Sequence, residues 1–95
     1  MAEIIYDLEE GTFAVDGKTF KIEKMPDVGP DEIKIGVRLE DDSSRIAEAH
    51  TINEEIEVRF PTSKETAQIV NVTHEKNCTG IITFIEMKIN NPQRT

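Results

Sequence analysis

The sequence of 95 residues predicts an all-β fold, a single antiparallel β-sandwich or small barrel of about seven to eight short strands. Three observations predict it. The apolar residues are β-branched: 13 Ile and 6 Val stand against 2 Leu, and Thr adds 9 more. Such side chains lose rotamer freedom in a helix and fit a pleated surface. Apolar and polar residues alternate with period two in several segments, as in strands with one face on a core. Turn signals separate those segments at spacings of about 8–12 residues.

The elements follow in order. The chain opens with a short apolar run, Ile4, Ile5 and Tyr6. "GTFAVDGKTFKIE", residues 11–23, is a hairpin: Asp16-Gly17 suits the positive φ of a two-residue turn. Closing it there sets Phe13 opposite Phe20 and Val15 opposite Lys18, so Phe13, Val15, Phe20 and Ile22 share one face. "PDVGP", 26–30, reads as a break, since proline cannot donate to a ladder. Ile33, Ile35, Val37 and Leu39 then alternate with Glu32, Lys34, Gly36, Arg38 and Glu40, and "DDSS" ends that strand.

Residues 45–52, "RIAEAHTI", satisfy two patterns. Ser43 or Ser44 can cap a short helix there. A strand entered through the Asp-Asp-Ser-Ser loop matches Ile46 with Leu39 but turns Glu48 and His50 onto the core face. The reading adopted is a strand with a bulge or early exit. "EEIEVRFP" is a clean strand, Ile56, Val58 and Phe60 inward, stopped by Pro61. "TSKETAQIV" carries a capping box, Thr62 to Glu65, but its branched run favours a strand from about residue 66. The alternative architecture is α+β with one short helix at 45–50 or 63–70. "GIITFIEMKI", 80–89, presents Ile81, Thr83, Ile85, Met87 and Ile89 on one face, with Ile82 and Phe84 on the other. One domain over 1–95 is expected, with 90–95 a frayed tail.

Composition excludes some functions. The net charge is −8, from 19 acidic and 11 basic residues. A nucleic-acid binder needs a basic footprint, so no direct nucleic-acid binding is expected, nor attraction to an anionic membrane. One Cys excludes an internal disulfide framework. With no charged-then-apolar leader after Met1, a reducing, cytoplasmic setting is expected. Asp41 and Ser43 in "DDSSRI" offer part of the D-x-S-x-x-G pattern of small β-barrel receptors for cyclic dinucleotides. Ile46 replaces the glycine, and no Arg-x-x-x-Arg precedes it, so no family resemblance follows.

Residues that bear chemistry are few. His50, His74 and Cys78 are weak metal candidates, since no C-x-x-C or H-x-x-x-H pair anchors them. Cys78 as a nucleophile would need a base and an orienting group beside it. No catalytic residue and no cofactor are therefore expected. Two binding readings lead, ahead of a small metal- or ligand-binding protein. The first is a non-enzymatic domain acting through a protein partner or self-association, with Tyr6, Met25, Ile82 and Phe84 as the apolar residues least well placed in one core. The second is an acidic inhibitor that mimics a polyanion in the basic groove of a nucleic-acid-binding partner. Its surface would be Glu32, Glu40, Asp41, Asp42, Glu54, Glu55 and Glu57.

Overall fold

The computed structural model describes residues 3–29, 31–39 and 42–90, with backbone alone for 24–28. The chain runs β1 (Ile4–Asp7), β2 (Thr12–Val15), β3 (Lys18–Val28), β4 (Glu32–Val37), α1 (Ser43–Thr51), β5 (Glu55–Arg59), β6 (Lys64–Asn77) and β7 (Gly80–Ile89). The strands close into a barrel in the order β1-β2-β3-β4-β7-β6-β5. Of the two all-β architectures expected, the barrel forms. Its last seam differs from the antiparallel expectation, because β1 and β5 run parallel. An odd ring of strands cannot alternate direction at every seam, so seven strands require one parallel pair.

The hairpin register is the expected one, Phe13 facing Phe20 and Val15 facing Lys18. Asp16 and Gly17 both take positive φ, 50° and 91°, which gives the turn the twist of its flanking strands. Alternation holds in β4 and β5: Ile33, Ile35, Val37, Ile56 and Val58 are buried. One apolar cluster joins all of these elements, with Phe20 and Ile22 of β3 packed against it.

Three local expectations are corrected. Residues 45–52 are largely helical rather than extended. The helix buries Ile46 and Ala49, three apart on one face, and leaves Glu48 exposed, which removes the burial conflict of a strand. Its N-cap is Asp42, not a serine, and Asp42 makes no side-chain cap bond but pairs with Lys18 at 3.0 Å. The helix is capped at Ile52, and Asn53 just beyond it takes the left-handed region at φ 55°. Asn53 N–H donates to His50 O and Glu54 N–H to Ala49 O, a Schellman pattern.

Pro26 does not break β3, and Pro30 lies outside the described residues. The strand continues through Pro26, with register shifts between Ile22 and Lys24 and between Lys24 and Asp27. Bulges tolerate a missing donor. The reversal comes later, where Gly29 N–H donates to Glu32 O. Residues 64–77 form a single strand, so the helical alternative at 63–70 does not occur. Asn90, placed in the tail, is tied to Thr66 through its backbone N–H. The rest of that tail lies outside the described residues.

Candidate functional site

β6 and β7 are the longest-paired strands, from Ala67↔Ile89 to Asn77↔Gly80, with one register shift between Ile69 and Asn71. Their neighbours stop early. β5 pairs only with Lys64–Gln68 of β6, and β4 reaches only Thr83 of β7. The hairpin therefore overhangs the barrel. His74 to Asn77 belong to the strand, and the turn is Cys78-Thr79 alone. Asn77 closes it by accepting the Thr79 N–H at 2.9 Å and the Thr79 hydroxyl at 2.8 Å.

The overhang creates two features. The first is an edge with no paired strand, on a strand against which α1 also packs. From Ile69 to Asn77, β6 has β7 on one side and, among the described residues, no strand on the other. Val70 is 47% exposed there.

The second is a cleft of about 710 Å³ between the inner face of the hairpin, the end of β4 and the start of α1. His74, Lys76, Ile81 and Thr83 line it from the hairpin, and Arg38 and Ser43 face them. Arg38 is held in place. Its Nη1 donates to Thr79 O at 2.8 Å and its Nη2 to Thr79 Oγ1 at 3.0 Å. Glu23 approaches the same guanidinium at 4.0 Å. Thr83 is buried, and its hydroxyl lies 3.1 Å from His74 Nδ1. The lining contains two permanent cations and, among the described residues, no carboxylate. The Glu23 carboxylate that approaches Arg38 is not among the lining residues.

Gly80 makes this arrangement possible. Its φ is 131°, and a Cβ there would sit 2.7 Å from Arg38 Nη1. Gly80→Ala is therefore expected to strain the turn and displace the guanidinium, destabilising the chain by about 1–2 kcal/mol. Urea unfolding measures this, and an unchanged midpoint would refute it.

The sequence-derived candidates fall as follows. His50 is half-buried on α1, His74 stands on β6 with its ring on a threonine hydroxyl, and Cys78 is exposed in the turn. Among the described residues no three His, Cys, Asp or Glu side chains gather as a metal site. Of the apolar interface candidates, Tyr6 is fully buried and Ile82 nearly so. Tyr6 lies at the parallel seam, opposite Phe13 and Val58, where barrel closure covers it. Ile82 shares the outer face of β7 with half-buried Phe84, which carries the Lys34 ammonium 5.6 Å from its ring centre. The Met25 side chain lies outside the described residues. Ile81, expected inward, is 53% exposed because β7 has passed the end of β4 there.

The acidic candidates do not form one face. Asp42 pairs with Lys18, Glu54 with Arg45 and Glu57 with Arg59. Glu32 and Glu55 are exposed on β4 and β5, which two other strands separate. Glu40 and Asp41 lie outside the described residues. The sequence reading passed over Arg38, Lys76 and Thr79, which meet only because the hairpin folds back beside β4.

No family model, curated protein or solved structure matches the chain. Among the described residues no helix is long and apolar enough to cross a membrane.

Proposed function

We propose that this chain is a non-enzymatic interaction domain that accepts an extended segment of a protein partner along the open edge of β6. The observation that carries this reading is the one-sided pairing of β6 from Ile69 to Asn77. An unpaired edge offers alternating main-chain donors and acceptors, which an added strand satisfies without chemistry. Exposed Val70 supplies an apolar anchor at the barrel end of that edge. Charged Glu75 and Lys76 near the other end guard it against indiscriminate pairing. The polyanion-mimic reading has less support, because several of its carboxylates are already paired with Lys18, Arg45 and Arg59.

The test is a pull-down with the intact chain from a lysate of its own organism, eluted in rising salt. Amide hydrogen exchange on the recovered complex then locates the contact. A partner that survives high salt and protects alternate amides between Val70 and Asn77 supports strand addition. A basic partner released at moderate salt, with no protection on β6, would instead mark an electrostatic surface and overturn the proposal.

A further inference from the structure

We infer that the cleft beside the hairpin is a binding site for the phosphate group of a small organic ligand. The inference does not depend on strand addition at β6. It rests on the balance of donors and acceptors in a cleft of about 710 Å³, within the size range of small-molecule sites.

The side chains that converge there are donors. Arg38 spends one N–H of each terminal nitrogen on Thr79 and has the Glu23 carboxylate 4.0 Å from Nη2, so its remaining N–H groups are only partly engaged. Because those two bonds fix its plane, little rotamer entropy is lost when an anion arrives. Lys76 has no carboxylate partner among the described residues. Ser43 adds a hydroxyl from the first turn of α1, and His74 keeps a second ring nitrogen beyond its bond to Thr83. A site so rich in donors suits a ligand with several acceptor oxygens. A phosphate monoester presents three on one centre and a carboxylate two, so phosphate uses the surplus better. Exposed Ile81 on the same wall offers apolar contact to the organic part.

The tertiary structure places the site where water and ligand can reach it. Thr83 forms its floor and the hairpin overhang its wall, so the pocket borders the core without opening it. Gly80 keeps the guanidinium close to the main chain, as the 2.7 Å approach of a notional Cβ shows.

The test is an NMR titration of the intact chain with inorganic phosphate, then glycerol 3-phosphate, with acetate at matched ionic strength as control. The expected result is a saturating shift centred on the amides of Ser43, His74, Lys76, Thr79 and Gly80. Both phosphates should bind more tightly than acetate. Lys76→Ala, on an exposed strand position, should leave the spectrum folded and weaken binding about tenfold, as loss of a charge-assisted hydrogen bond implies. Shifts that never saturate, shifts spread equally over Lys21, Lys64 and Lys88, acetate binding as well as phosphate, or an unaffected Lys76→Ala would each overturn the inference. Failure of strand addition at β6 would leave these readouts unchanged.

Discussion

Replacing Arg45 by methionine lowers the unfolding free energy by about 2–3 kcal/mol, the largest loss expected from any single charged residue here. Arg45 sits early in α1 and joins three parts of the chain. Its Nη1 and Nη2 donate to the two carboxylate oxygens of Glu54, each at 2.8 Å, and its Nε donates to Asp16 at 2.8 Å. Asp16 belongs to the β2–β3 turn, and Glu54 leads into β5. Both the Arg45 and Glu54 side chains are mostly covered, 20% and 18% exposed, so solvent screens the fork only in part. The hydrogen bonds it donates to Glu54, then to Asp16, push the guanidinium pKa further above its ordinary value.

Methionine keeps the apolar stem but strands the Glu54 carboxylate. The melting temperature should fall by roughly 10–20 °C in a domain of this size. Arg45→Met with Glu54→Leu separates the causes. If the loss is mainly the stranded charge, the double variant recovers a large part of it. An Arg45→Met protein within about 0.5 kcal/mol of the parent would show that the fork adds no stability.

The second large effect belongs to Tyr6 and appears in alkali. Its hydroxyl is buried and has no hydrogen-bond partner among the described residues. Burial, with the Asp7 charge as a smaller cause, raises its pKa from 10.0 to about 12. The folded-state value lies above the unfolded one, so the associated stability is complete below pH 10 and is lost as pH rises toward 12. The loss amounts to roughly 2–3 kcal/mol. Tyr6 is the single tyrosine, and the chain has no tryptophan, so absorbance at 295 nm follows this one group. The folded protein should ionise near pH 12, and the same chain in denaturant near 10.

Tyr6→Phe removes the unpartnered oxygen while keeping the ring between Phe13 and Val58. It should stabilise the chain by about 1 kcal/mol at neutral pH and abolish the alkaline loss. A destabilised Tyr6→Phe, or a native titration near 10, would contradict this account.

Much of the barrel was legible before any coordinates. Asp16-Gly17 fixed the first hairpin, because type I′ geometry and strand alternation demand the same register. The β4 and β5 cores followed from period two alone. Residues 45–52 satisfy a hairpin pattern that matches Ile46 with Leu39, but Asn53 marks the end of a helix. An asparagine just after an Ala- and Glu-rich segment is the αL residue of a helix end. Pro26 does not end β3, since proline forbids a ladder bond but not a bulge.

The candidate sites divide on the same physics. The sequence by itself determined the all-β class, the first hairpin, the inward rows of β4 and β5, and the scarcity of metal-ligating residues. These depend on local alternation and on residue chemistry. Only the tertiary structure decided the parallel seam, the overhang of β6 and β7, and the meeting of Arg38 with Thr79 across 41 positions. Where neighbouring strands end relative to one another is set by register shifts and bulges summed around the closed ring. No single segment carries that sum, so neither the open edge nor the basic cleft has a local signature.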